Sequence, residues 1–227
     1  SVMAGYAAIG VELKYLIAAS FMAAPGGLAM AKIIVPETGT PKDDLADLDD
    51  AEIQPSVNVF DAAASGALSG MQIALAVGAM LVAFTALIAL VNGIVGGLGS
   101  IAGVDGLTIE VIFGWLLQPV AWALGVPWAE ANVAGSLIGQ KVVLNEFIAY
   151  FAFAEVKDGM SEGAQAIVTF ALCGFANFSS IAILLGGIGS IAPNRRPEIA
   201  RFGMRALLAA TLSNLMSAAL AGFFLSL

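Results

Sequence analysis

Residues 163–194 read GAQAIVTFALCGFANFSSIAILLGGIGSIAPN, thirty-two positions without a single Asp, Glu, Lys or Arg. Their length decides the environment. A helix needs about 20 apolar residues to cross a hydrocarbon core of about 30 Å, and an uncharged run this long is the mark of a membrane span. Their centre decides the shape. Asn177 and Ser180 lie three positions apart at the middle of the run, where one helical face would carry both. Two readings of that polar centre stand. Asn and Ser hydrogen-bond between packed helices in lipid. They also interrupt helices, and discontinuous helices facing a re-entrant hairpin at the bilayer midplane are a recurring transporter design.

Further uncharged runs flank this one: residues 15–31 (17 positions), 62–104 (43), 111–129 (19) and 206–227 (22). The 227-residue chain is 59% apolar and 11% charged, with a mean hydropathy of +0.93. A soluble domain is roughly 45–50% apolar and about 25% charged. A water-facing globule is thereby excluded, and so is global disorder. The predicted fold class is an all-α integral membrane protein with about four transmembrane helices. They fall within 15–31, part of 62–104, 163–194 and 206–227. The run 111–129 holds Trp115, Trp122, Trp128, Pro119 and Pro127. Tryptophan favours the headgroup level, so this stretch reads as an interfacial helix followed by a turn, with a fifth span as the open alternative. Residues 58–71 read as a short interfacial helix leading into a span. Asn92, Gly93, Gly96, Gly97 and Gly99 read as the end of that span and a turn.

Composition also removes chemistries. The chain has no histidine and one cysteine, Cys173. An internal disulfide is impossible, and a zinc or copper site lacks its ligands. Ser179 and Ser180 have no evident base, so a membrane-embedded hydrolase is disfavoured. A net charge of −8 lacks the basic face that nucleic acid requires. Gly187-Ile188-Gly189 follows no strand and is not a dinucleotide motif. Residues 36–61 are aqueous, with Glu37, Asp43, Asp44, Asp47, Asp49, Asp50, Glu52 and Asp61 against Lys42 alone. They read as a solvated linker, or as a docking tail. Lys32, Lys42, Arg195, Arg196, Arg201 and Arg205 against Lys14 and Lys157 place this acidic loop in the cytoplasm. The opening SVMAGYAAIG reads as the tail of a helix, so the chain is expected to be a piece of a longer membrane protein without a signal peptide.

Between Trp128 and Glu155 two apolar pieces, 131–140 and 147–154, flank Lys141 and Glu146. Each is too short to span, and together they fit a re-entrant helical hairpin over 129–156. A carboxylate at membrane depth costs roughly 2.5–3.5 kcal/mol. Glu146 is then either a headgroup acid on a shallow hairpin or a buried group holding a partner or ligand. Thr211, Ser213, Asn214 and Ser179 read as helix packing, and Cys173 as a small buried hydrophobe.

The strings VPWAEANVAG (126–135), KVVLNEFIAY (141–150) and ALCGFANFSSIAILLGGIGSIAPNRR (171–196) resemble the C-terminal half of the concentrative nucleoside transporters. SVMAGY (1–6) and YLIAASFMAAPGGLAMAKIIVPET (15–38) are similar to that family too. The resemblance implies half of an inverted-repeat transporter. Residues 1–35 end the first repeat, 36–61 form the acidic cytoplasmic loop, and 62–104 hold an interfacial helix and a scaffold span. An interfacial helix at 105–128, the hairpin at 129–156, a broken helix at 161–190 and a last span at 197–227 follow. It implies sodium- or proton-coupled import of nucleosides, such as uridine, across the cytoplasmic (inner) membrane by a homotrimer set in lipid. By position it assigns Glu146, Asn177 and Ser180 to the ribose, and Phe175 and Val2 to the base. It places the coupling-cation site in a segment before Ser1 and implies no cofactor or resident metal. Two other readings remain: a transporter of another small polar solute, and a structural subunit in which Glu146, Asn177 and Ser180 do not converge.

Overall fold

Side-chain caps open several of the helices. In the computed structural model, which describes residues 2–39, 57–191 and 193–227, Asn58 accepts from the Asp61 amide at 2.9 Å while Asp61 accepts from the Val57 amide at 3.0 Å. That reciprocal pair opens one helix. Thr108, Asn145 and Ser161 open three others in the same way, accepting from Val111, Ile148 and Ala164. First-turn amides have no intrahelical partner, and away from water a cap is the local means of satisfying them.

The described residues are helical throughout, without strands. The order is α1 (Val2–Ala8), α2 (Leu13–Ile34), α3 (Val59–Ile101), α4 (Ile109–Ala123), α5 (Trp128–Val143), α6 (Glu146–Val156), α7 (Glu162–Leu172), α8 (Phe178–Ile191) and α9 (Arg196–Leu225). Among the described residues two helices, α2 and α9, are individually long and apolar enough to cross a membrane. The pair α4–α5, bent by 117°, makes a third if counted as one broken span. The expected span at 163–194 is two helices, α7 and α8, of 11 and 14 residues. Neither alone reaches the length of about 20 residues that a span needs. Residues 40–56 of the acidic loop lie outside the described part.

The expected division of 62–104 is not found. Val59–Ile101 is one unbroken helix of 43 residues, about 65 Å long at 1.5 Å per residue. It runs through Gly93, Gly96, Gly97 and Gly99. The reversal comes later, where Gly103 and Gly106 take φ of 76° and 72°. Asn92 belongs to that reversal from inside α3. Its amide donates to both Glu110 carboxylate oxygens at 3.2 and 3.0 Å, and its oxygen accepts from the Ile109 amide at 2.8 Å. Glycine costs a helix only about 0.5–1 kcal/mol relative to alanine, too little to open a hydrogen-bond ladder that has no water to replace it. Gly99 serves packing instead. A Cβ there would lie 2.7 Å from the Val104 carbonyl oxygen and 2.8 Å from the Leu107 side chain.

Small residues set the helix contacts elsewhere. Ala131, Gly135 and Gly139 form a stripe on α5 facing α4. A Cβ on Gly135 would stand 2.8 Å from the Leu117 carbonyl carbon and 2.9 Å from the Gln118 nitrogen, and one on Gly139 would intrude on the Phe113 side chain. Helices in lipid gain from such close approach because association is driven by packing rather than by a hydrophobic effect between them. Helices α2, α7 and α8 pack on α9. The core between them holds Leu16, Ala19, Ile167, Val168, Leu172 and Ala218. The outer face is as apolar as the core: Phe21 is 80% and Ile33 70% exposed.

Gly135→Leu is expected to force α4 and α5 apart, because the obstacle is backbone that cannot rotate away. Overpacking of this kind costs about 1–3 kcal/mol or more. Thermal unfolding of the detergent-purified full-length protein should show a lowered midpoint. Gly163→Ala, whose Cβ would meet open space, should leave it nearly unchanged. A Gly135→Leu protein as stable as the parent would refute the close-contact assignment.

Candidate functional site

Two interruptions in the helices face each other. The hairpin of α5 and α6 breaks at Leu144 and Asn145, and Asn145 caps α6 so that Glu146 becomes its first residue. The pair α7 and α8 breaks over residues 173–177, where Gly174 has φ 150°. A Cβ on Gly174 would also meet the Asn214 amide at 2.7 Å. Glycine at this position thus answers both the backbone angle and the space.

Glu146 is 4% exposed, and Asn177, opposite it, 1%. One carboxylate oxygen accepts from the Asn177 amide nitrogen at 2.9 Å, and the other from the Tyr6 hydroxyl at 3.3 Å. Asn177 Oδ1 in turn accepts from the Ser180 amide at 2.8 Å, the Ser180 hydroxyl at 2.8 Å and the Ser179 hydroxyl at 2.6 Å. A chain of donors therefore runs from the start of α8 through Asn177 into the carboxylate. Glu146 offers roughly four acceptor positions, of which Asn177 and Tyr6 take two, so it retains capacity for hydroxyl donors from outside.

Of the five residues singled out in the sequence, the structure brings Glu146, Asn177 and Ser180 together. Glu146 sits in the interior, the deeper of its two readings. Phe175 lies within the break of α7 and α8 with 61% of its surface exposed. The backbone of Val2 belongs to α1, and its side chain lies outside the described part. Ser179, expected to be a packing residue, is bonded to Asn177 instead. The expectation assumed a continuous helix, in which neighbouring serines point to different faces. Asn177 stands just ahead of α8, in the cap position, and a cap oxygen can be reached by both.

Sequence reasoning missed Tyr6, Lys141 and Tyr150 as parts of this region. Lys141 is 1% exposed and donates to the Ala171 carbonyl at 3.0 Å. Tyr150, fully buried, donates to the Thr169 carbonyl at 2.8 Å. A lysine inside an apolar half-hairpin was the available signal for Lys141. Tyr6 carried none, because its partner is 140 positions away. Ser213 and Asn214, read as packing, are buried on α9, and the Ser213 hydroxyl and the Asn214 nitrogen find no hydrogen-bond partner among the described residues. A groove of about 400 Å³ lies elsewhere, between the end of α2 and α9, and is lined by Leu28, Lys32, Phe202 and Arg205. Among the described residues no cluster of acidic or cysteine side chains could hold a metal ion.

A family model described as "Na+ dependent nucleoside transporter C-terminus" matches residues 15–222. An uncharacterized transporter, YutK, of Bacillus subtilis is 55% identical over 99% of this chain and 56% of its own length. The nucleoside permease NupC of Helicobacter pylori is 48% identical over 100% of this chain and 54% of its own. A solved structure of CNTnw, described as inward-facing and substrate-bound, superposes with a TM-score of 0.87 at 55% identity, covering 100% of this chain and 54% of that one. The chain thus spans about half the length of these relatives. It is a membrane protein of the concentrative nucleoside transporter family and corresponds to the C-terminal portion of that family's proteins.

Proposed function

We propose that the full-length protein carrying this chain imports nucleosides across the cytoplasmic membrane by cation-coupled secondary transport, and that this portion supplies the ribose-binding wall of the site. The observation that carries the reading is the Asn177–Glu146 hydrogen bond of 2.9 Å, which joins a hairpin tip to a helix break in a buried setting. A ribose presents two neighbouring hydroxyl donors, and a carboxylate accepts both. Asn177 adds a group able to donate and accept, and Ser180 a hydroxyl. Phe175, exposed beside this cluster, offers an apolar face for the base, and Val2 would add a second. The convergence of Glu146, Asn177 and Ser180 supports a ligand site over a ligand-free structural subunit.

Sodium is the coupling ion that the matched family's description supports. For the motion, the hairpin 129–156 and the broken helix 161–190 would carry the ligand as one body. Helix α3 would be the static frame and the contact of a homotrimer. Its length and its exposed apolar side, with Leu75, Leu90 and Leu98 more than half exposed, support that assignment.

Glu146→Gln in the full-length protein should weaken uridine uptake strongly while membrane insertion persists. Hydrogen bonds to a charged group are worth roughly 1.5–3 kcal/mol, so apparent affinity should fall about 10- to 100-fold. Unchanged uptake would sink the assignment. Asn177→Ala should cost more than Ser180→Ala or Ser179→Ala, because either serine leaves other donors on the same Asn177 oxygen. The loss for Glu146→Gln with Asn177→Ala together should be smaller than the sum of the two, and strict additivity would separate them into independent sites.

Replacing sodium with choline in the assay buffer should bring uridine uptake down to the background of cells lacking the transporter. Undiminished uptake in sodium-free buffer at constant pH would remove sodium as the coupling ion and leave the substrate assignment standing.

A further inference from the structure

Lys141 has no part in the ribose-binding reading, yet it is among the most deeply buried side chains of the protein, at 1% exposure. It lies in the last turn of α5 and donates to the carbonyl of Ala171, in the last turn of α7. Helix α7 stops at Leu172, so that carbonyl has no amide four residues on to accept from. The stopped helix also presents its negative pole there, equivalent to roughly half an elementary charge. From the other arm of the hairpin, Tyr150 donates to the Thr169 carbonyl of the same turn. The hairpin therefore grips the end of α7 with one donor from each arm, while its tip meets Asn177 across the break through Glu146.

A neutral donor would also satisfy the Ala171 carbonyl, though less strongly. What it would not do is separate two negative groups. The α7 terminus and the Glu146 carboxylate are both buried, where charges are screened less than in water. Lys141 and Glu146 stand on either side of the hairpin break at Leu144 and Asn145, and the Lys141 hydrogen bond goes to the Ala171 carbonyl. With the ammonium removed, the carboxylate and the helix end repel, and the hairpin tip moves away from the break.

We propose that Lys141 is a positioning residue for substrate: its ammonium clamps the hairpin to the end of α7 and so sets where Glu146 presents its carboxylate to the sugar hydroxyls. The proposal rests on the assignment of Glu146 to the ribose. It differs from a purely structural role in one respect. Loss of Lys141 should harm only ligands that use Glu146.

The test measures binding to the purified full-length transporter. The ligands are uridine and 2′,3′-dideoxyuridine, which lacks the two hydroxyls. The proteins are the parent, Lys141→Met, Glu146→Gln and the double variant. Lys141→Met should weaken uridine about tenfold, the scale of one charge-assisted hydrogen bond. Dideoxyuridine affinity should stay unchanged within error. Added to Glu146→Gln, Lys141→Met should have almost no further effect on uridine, because the group it positions is already altered. Equal weakening of both ligands, or losses that multiply in the double variant, would overturn the proposal. If Lys141→Met does not insert, Lys141→Gln, which keeps a donor without the charge, is measured against the same outcomes. Failure of both to insert would assign Lys141 to folding and equally overturn it. Glu146→Gln with undiminished preference for uridine would instead overturn the ribose assignment itself, leaving the two failures distinguishable.

Discussion

A helix that stops away from water leaves carbonyls and amides that only the protein can satisfy. The region around Glu146 follows from that constraint. Helix α7 ends at Leu172, and its last carbonyls are met by Lys141 and Tyr150 from the hairpin. Helix α8 begins at Phe178, and the Ser180 amide is met by Asn177. Asn177 then has its own amide to place, and Glu146 receives it. Each polar group is answered by another that needs answering. The network therefore links the hairpin to both halves of the broken helix.

The remainder of the fold makes room for this cluster by bringing backbones close. Gly135 and Gly139 let α5 lie against α4, and Gly26 admits the Ser213 side chain of α9 against α2. In a soluble protein such contacts would compete with the burial of large side chains. Here apolar side chains on the outer face, such as Phe21 and Ile33, gain nothing by turning inward, so small residues can occupy the helix contacts.

Much of this was legible in the sequence because a membrane chain announces itself by what it lacks. Runs free of charge gave the helical class, while the polar residues at the centre of one run left packing and a break both open, and the family resemblance implied the break that stands near Asn177. Lys141 and Glu146 between two short apolar pieces gave the hairpin. What escaped reading was of two kinds. The continuity of α3 through Gly93, Gly96, Gly97 and Gly99 escaped because glycine marks turns in water, and the same residues sit inside helices where backbone hydrogen bonds have no competitor. The bonds of Ser179 and Tyr6 escaped because they depend on three-dimensional placement. The first follows from Asn177 acting as a cap, and the second joins α1 to α6 across 140 positions. The acidic loop was read from composition alone, and of its charged residues Glu37 pairs with Lys32 at 2.8 Å.

The burial of Lys141 and Glu146 on the two arms of one hairpin has an electrical consequence. Moving one elementary charge through a potential of 100 mV takes about 2.3 kcal/mol of work. A body that carries a carboxylate and an ammonium together has no net charge from this pair, and shifting it across the field does no work to first order. A membrane potential then has little hold on this hairpin. Under the proposed cation-coupled transport, its force would fall on the coupling ion rather than on this buried pair.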